Sequence, residues 1–576
     1  MIKKFGYRDL IVIQFLTTFA LSAGAQFFQK KESFSRQDTL RGCITKERAW
    51  WDVTMYDLHL TPNAKNYQLN GKNTIYFIIV KQPEAEMQID LQEGMQIDSA
   101  FLNNRLVRIR KEGNAWFVSI PLKKMPKSLP ENQRPQAPLQ QLTIYFQGIP
   151  KPAIQPPWDG GVVWGKDSKG NTWINTACQG LGASAWWPCK DHPYDEPDSL
   201  QIHVTAPDTL MCISNGRLRS VRNHENNSKT WTWFTSNPIN NYNVTMNIGK
   251  YAHLRDTFTG INGTLDLDYY VLEENRIKAA THFLQVKQML KAFEYWFGPY
   301  PFYKDGYKLI EAAYPGMEHQ SAIAYGNGFK NGYDEKDLSE SGWGLKWDFM
   351  IVHESGHEWF GNSISCKDAA DMWIQEGFTN YAEVLFTDYF FGTEAGNAYC
   401  RGLRKRVLND KPIIGPYNVN REGSSDMYFK ASNLIHTIRQ IIGNDSSFRQ
   451  MLLDLNRRYF HKTVSSQEIE AFISTRTGFQ LQKVFDQYLR TTQIPTLEYF
   501  LSVENGQTIL NYRWNNCIEG FNMPVLLPDS ENHYGLFLAT EKWKKLRTRF
   551  TKDQAIESFL HPDFYILYQK ITTARN

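Results

Sequence analysis

His353-Glu354-Ser355-Gly356-His357 is followed, nineteen residues after its second histidine, by Glu376 within Trp373-Ile374-Gln375-Glu376-Gly377-Phe378. Two histidines at i and i+4 fall on one face of a helix, about one turn apart. Both imidazoles can therefore reach one metal ion. Glu354, next to the first of them, reaches a water on that ion rather than the ion itself. A catalytic zinc takes three protein ligands and keeps a fourth position open, so a third ligand is needed. Glu376 supplies one only if the chain turns back. A single straight helix would carry it roughly 28 Å away at about 1.5 Å per residue. Gly361-Asn362-Ser363 and Lys367-Asp368 break the helix, and a second helix starting near Asp371 returns Glu376 to the ion. The protein holds 13 histidines in 576 residues. At that frequency chance gives an i, i+4 pair with Glu after the first about 0.015 times, so the pattern carries information.

The flanking sequence sets the architecture. Residues 49–251 read as β-structure, with alternating or β-branched runs at 72–80, 142–146, 200–204 and 230–234 between turn residues. A Pro-rich stretch, 130–157, reads as a surface connection. Helical spacing of apolar residues begins at 273–297. It continues through 343–360, 373–391, 430–442, 448–460 and 466–489. Strands return at 497–503, 508–514 and 534–538. The layout expected is a multidomain α+β protein: a β-domain over 26–255, a mainly helical catalytic domain over 256–495 and a small β-domain over 496–576.

Composition is that of a globular chain with a sizeable core, 42% hydrophobic and 22% charged. The net charge is +4, and Lys3, Lys4, Arg8 and Asp9 supply +2 of it, leaving +2 for the remainder. No block of like charge points to nucleic acid or to an anionic membrane surface. Residues 1–25 have the form of a signal peptide: Lys3 and Lys4, an apolar run from Leu10 to Ala20, then Ala23-Gly24-Ala25. The expectation is export to a periplasm or the extracellular space, with the mature chain starting at Gln26 and keeping no integral membrane segment. Seven scattered cysteines form no CxxC pair. Their odd number leaves at least one unpaired. Nothing in the sequence specifies an oligomeric state.

The metal motif and its surroundings, His357-Glu358-Trp359-Phe360-Gly361-Asn362 included, resemble the gluzincin aminopeptidases, a family that includes alanyl aminopeptidases and leukotriene hydrolase. The resemblance implies a thermolysin-like catalytic domain behind a β-sandwich-like N-terminal domain. It also implies one zinc ion on His353, His357 and Glu376, with Glu354 as general base. Pro315-Gly316-Met317-Glu318-His319 resembles the family's amine-binding segment, with Pro315 in place of Gly and His319 in place of Asn. By that likeness Gly316, Met317 and Glu318 bind substrate, Glu318 pairing with a free α-ammonium. Thr176-Ala177-Cys178-Gln179, before Trp186-Trp187-Pro188-Cys189-Lys190-Asp191, resembles the segment that gives a second amine contact, here Gln179. Tyr428-Phe429-Lys430-Ala431 resembles the segment carrying the oxyanion donor, here Tyr428, with Ala431 where Gly is usual. The implied function is hydrolysis of the N-terminal peptide bond of peptides with a free α-amine, by a water that zinc activates. The alternatives are an endopeptidase or epoxide hydrolase on the same site, or a non-catalytic peptide-binding protein. An unbroken set of His353, Glu354, His357, Glu376 and Tyr428 argues against the last.

Overall fold

Alternation of buried and exposed side chains along Trp51–Asn63 and Gln68–Ile79 builds the centre of an eight-stranded sheet. In this computed structural model, which describes residues 33–530, 533–548 and 560–572, the sheet runs in the order Arg217–His224, Ser228–Thr235, Ser199–Pro207, Trp51–Asn63, Gln68–Ile79, Gln140–Gly148, Met95–Leu102, Arg105–Val107. Trp51–Asn63 pairs parallel to Ser199–Pro207, and the other neighbours are antiparallel. Its inner face, with Tyr56, Leu58, Leu60 and Ile75, packs in one core with Trp186 and Trp187. Smaller sheets complete this part. Gln140–Gly148 lies inside the Pro-rich stretch, whose prolines do not interrupt it. The leader at 1–25 falls outside the described residues.

The helical part begins with a five-stranded sheet, Tyr251–Gly260, Gly263–Leu272, Tyr307–Glu311, Ile323–Tyr325 and Gly316–Met317 in spatial order. The helices Gln285–Phe297, Phe349–Gly356, Trp373–Phe391 and Phe429–Ile442 share one core with it. Their core continues into the C-terminal strands through Leu497, Tyr499, Trp514 and Val525, with no apolar break at residue 495. Arg36–Asn576 forms one unit. Two clamps tie its parts together. Fully buried Lys190 pairs with Asp195 and donates to the Trp51 carbonyl. Asp563, near the C-terminus, takes Arg401 at 2.5 Å and Asn397 at 3.1 Å from the helix Thr393–Leu403. All seven cysteines are free thiols. Among the described residues no helix is long and apolar enough to cross a membrane.

Candidate active site

The helix Phe349–Gly356 starts where Asp348 takes the backbone N–H groups of Met350 and Ile351, an N-cap that satisfies two orphan donors. Asp348 is itself fixed by the Tyr325 hydroxyl at 2.7 Å and His282 at 2.6 Å. The helix presents His353 and Glu354 and ends at His357. Gly361 then turns the chain at φ +131°, and a Cβ there would lie 3.1 Å from His357 Nδ1. The returning helix Trp373–Phe391 carries Glu376 in its first turn.

The three predicted ligands meet. His353 Nε2 and His357 Nε2 are 3.3 Å apart, and Glu376 Oε2 stands 3.7 and 3.4 Å from them. Metal–ligand bonds of about 2.0–2.2 Å in a tetrahedron place ligand atoms roughly 3.4 Å apart, so the spacing fits zinc. Glu376 Oε2 is buried and, among the described residues, has no hydrogen-bond partner, as expected of an atom that a cation would engage. Each imidazole is held from behind. His353 Nδ1 lies 2.7 Å from Glu383 Oε1, and His357 Nδ1 lies 3.0 Å from the Phe360 carbonyl. Those bonds take the Nδ1 protons and leave Nε2 free to ligate. Another grouping, Asp57, His59 and His203, lies half-buried on the N-terminal sheet. Its imidazoles stack at 4.0 Å and 13°, so their in-plane lone pairs do not converge.

Around the ligands is a cleft of about 710 Å³. It brings Gln179, Gly316, Met317, Glu318, Glu354 and Tyr428 together with the metal trio. Glu318 follows the short strand Gly316–Met317. Its Oε1 accepts the Tyr242 hydroxyl at 3.1 Å, and its backbone carbonyl accepts Asn362 Nδ2 at 2.9 Å. A Glu318 oxygen, a Glu354 oxygen and a His357 ring nitrogen all lie within 4.8 Å of one another. Gly316 leaves space for the site's side chains: a Cβ there would come within 2.6 Å of Glu354 Oε1 and 2.7 Å of Met350 Sδ, so one of them would have to move. Burial, with repulsion from Glu318 and Glu376, pushes Glu354 up to about 7 against the pull of both imidazoles. Tyr428 joins the turn Ser425–Met427 to the helix Phe429–Ile442, its ring 6.2 Å from that of His353. Burial, then nearby carboxylates, hold its hydroxyl well above the ordinary tyrosine value, so it remains a proton donor. Gln179 enters from the β-domain, and its Nε2 donates to Glu376 Oε1 at 2.8 Å. Its Oε1 accepts no protein donor among the described residues.

The departures from the motif pattern have local explanations. The Pro315 carbonyl accepts the Gly326 N–H at 2.7 Å, so the edge strand forms without a donor at 315. His319 is buried, neither ring nitrogen is bonded to protein among the described residues, and burial pushes it down to about 3, leaving a neutral ring. Lys190 is buried in the β-domain, and Asp191 takes Ser184 and Arg41. Sequence reading assigned no role to Glu383, Tyr242, Asn362 or Glu422, the last of which also lines the cleft. Glu383 sits seven residues, two helical turns, beyond Glu376, a periodicity that marks it. The other three stand in short turns and loops where no period applies.

Residues 53–243 match the peptidase M1 N-terminal domain, and residues 283–488 match the peptidase family M1 domain. Together they cover well over half of the chain. The chain belongs to peptidase family M1. It is 22% identical over 350 residues to "Probable aminopeptidase 2" of Sulfurisphaera tokodaii, covering 58% of this chain and 43% of that protein. It is 22% identical over 371 residues to leukotriene A-4 hydrolase of Xenopus laevis, covering 60% and 58%. The chain thus spans about half the length of these relatives. In fold it is similar to an M1 zinc metallopeptidase from Deinococcus radiodurans, with a TM-score of 0.61, 21% identity, and coverage of 77% of this chain and 94% of that one. Legionella pneumophila aminopeptidase A gives a TM-score of 0.71 at 14% identity, covering 91% and 60%.

Proposed function

We propose that this M1 chain is a zinc aminopeptidase that removes one residue at a time from peptides with a free α-amine. The observation that carries the reading is the grouping of Glu318, Glu354 and His357 within 4.8 Å. A carboxylate that can hold an ammonium stands one residue's reach from the base and from a metal ligand. A peptide anchored there by its amine presents its first carbonyl, and only its first, to the reacting groups. An endopeptidase has no use for a buried anion at that position.

His353, His357 and Glu376 would hold the zinc, which when bound supplies a Lewis acid for the attacking water and the scissile carbonyl. Glu354 takes the proton from that water and passes it to the departing amine. The Tyr428 hydroxyl donates to the carbonyl oxygen as negative charge grows on it. Glu318, kept in place by Tyr242, pairs with the ammonium, a charge-assisted bond in a closed cleft. Gln179 offers its amide oxygen to the same ammonium while its Nε2 steadies Glu376. We also propose that the chain is exported, on the support of the leader pattern in residues 1–25.

The test is hydrolysis of a panel of aminoacyl-p-nitroanilides beside one N-acetylated counterpart, with and without a zinc chelator. Cleavage of the free-amine compounds alone, abolished by chelator, is expected. Equal cleavage of the acetylated compound would remove Glu318 from its assigned role.

A further inference from the structure

A second cavity of about 380 Å³ adjoins the catalytic cleft and shares Gln179, Gly180 and Glu422 with it. Its wall includes Tyr242, whose hydroxyl holds Glu318, and Gln375, the residue before Glu376. An amino acid anchored by its ammonium at Glu318, with its carbonyl toward Glu354, has one large substituent left. The cavity behind Tyr242, which holds that anchor, is open to receive it.

The charges lining this cavity do not balance on its inner side. Arg41 and Asp191 neutralise each other at 3.2 Å, and Arg41 also donates to the carbonyls of Asp191 and Leu181. Lys411 and Arg421 line it from exposed positions, where solvent and salt screen them. Glu422 is different. Half-buried, it has its Oε1 3.8 Å from where a Cβ on Gly180, the residue after Gln179, would stand, and among the described residues no protein donor reaches its carboxylate. Burial, then the carboxylates of Glu376 and Glu318, push it up to about 7, and Lys411 opposes them. Much of the remaining wall is apolar or weakly polar: Cys178, Cys366, Ala369 and Met372. Such a wall suits the methylene stem of a long cationic side chain, and the stem's charged end needs a partner where water is scarce.

We propose, building on the aminopeptidase reading, that this cavity is a first-residue pocket selective for lysine and arginine, with Glu422 as the counter-ion of the cationic side chain. A neutral side chain of equal length leaves Glu422 unpaired. An acidic one meets a wall that already holds Glu422 and borders Glu318 and Glu376.

The test compares kcat/KM of the zinc-loaded enzyme on lysyl, norleucyl, arginyl and glutamyl p-nitroanilides. Norleucine matches the lysine stem without its charge. Lysine is expected to exceed norleucine by about 10- to 100-fold, the effect of one charge-assisted contact. Glu422→Gln collapses that ratio toward one, Glu422→Asp keeps its direction, and Glu422→Lys turns the preference toward glutamate. The wild-type ratio needs no variant to fold. A lysine-to-norleucine ratio at or below one, with both compounds cleaved, overturns the pocket assignment and leaves the aminopeptidase reading standing. A high ratio unmoved by Glu422→Gln overturns the role of Glu422. Failure to cleave any free-amine compound brings down both readings together.

Discussion

Glu383 orients His353, which we propose as a zinc ligand, and Glu383→Gln measures how much that orientation contributes. The carboxylate is fully buried. Its Oε1 accepts from His353 Nδ1 at 2.7 Å and Asn380 Nδ2 at 2.8 Å, and its Oε2 accepts the Tyr399 hydroxyl at 2.6 Å. Three donors thus fix one anion, and the anion fixes the imidazole so that Nε2 faces His357 and Glu376. An amide in its place keeps the shape but loses the charge and turns an N–H₂ toward groups that donate. Loss of such a partner typically lowers metal affinity about 10- to 100-fold, or about 1.4–2.7 kcal/mol. With full burial and a short bond, the upper half of that range is expected.

The assay is a zinc titration of chelator-stripped protein in competition with a chromophoric chelator. Near-UV circular dichroism and a single cooperative melt establish that the variant is folded. Catalytic rate at saturating zinc should fall less than affinity does, because occupied sites regain most of the geometry. Wild-type zinc affinity in a folded Glu383→Gln protein would falsify the reasoning: the ring would then be oriented by packing alone, for instance by Phe349, which stacks on it at 5.0 Å.

Four further outcomes follow from the same geometry. Gly316→Ala, whose methyl would press within 2.6 Å of Glu354 Oε1, should lower kcat on aminoacyl anilides about 100-fold by displacing the base, and an unchanged kcat would show that the strand yields. Tyr428→Phe should lower kcat by about 10²–10³ with little change in KM, and a pure KM effect would assign the hydroxyl to binding instead. Lys190→Met should destabilise by about 3–5 kcal/mol in denaturant unfolding, because it strands Asp195 in the core; a change under 1 kcal/mol would refute that account. Asp563→Asn should narrow its stability gap to wild type as pH falls. Despite burial, His436 and Arg401 hold the Asp563 carboxylate well below the ordinary range, so its contribution is full above about pH 4, the unfolded value, and is lost as pH drops through the lower folded value. Melting temperatures of both proteins between pH 3 and 7 give the curve, and a gap that stays constant would rule the charge out.

Where sequence and structure agree, a period in the chain does the specifying. Residues 373–391 read as one helix and form one, because apolar residues recur past Gly377 as far as Gly392, which takes φ +92°. Residues 343–360 also read as one helix, yet a short turn, Trp343–Lys346, precedes the helix proper. Apolar spacing passes smoothly over Asp348, and only its two cap bonds reveal that the helix begins there. Residues 466–489 divide in the same way at Gly478, left-handed at φ +76°. The pairing of His353 with His357 was legible because i, i+4 spacing is itself geometry, whereas Glu376 joins them only through a turn that no spacing specifies. Glu318, Gln179 and Tyr428 were legible only through resemblance. Tyr242 and Glu422 had no local signal, since each acquires its place from a contact between distant segments.

Ala431 shows why motif departures need the fold to be understood. It stands where the resemblance leads one to expect glycine, at the start of the helix Phe429–Ile442. Facing it on the helix of Glu376 is Gly377, where an added Cβ would sit 2.7 Å from the Ala431 Cβ. The two helices need room for one methyl between them, and this chain places it at 431 and leaves 377 bare. The helix that carries Glu376 therefore keeps its distance from the helix that begins beside Tyr428, and ligand and hydroxyl keep their relation. Gly377→Ala alone should push the helices apart and lower both zinc affinity and kcat, whereas Gly377→Ala with Ala431→Gly should restore them. If the double variant were no better than the single one, the two positions would not compensate, and the glycine would be needed at 377 for its backbone rather than for the space it leaves.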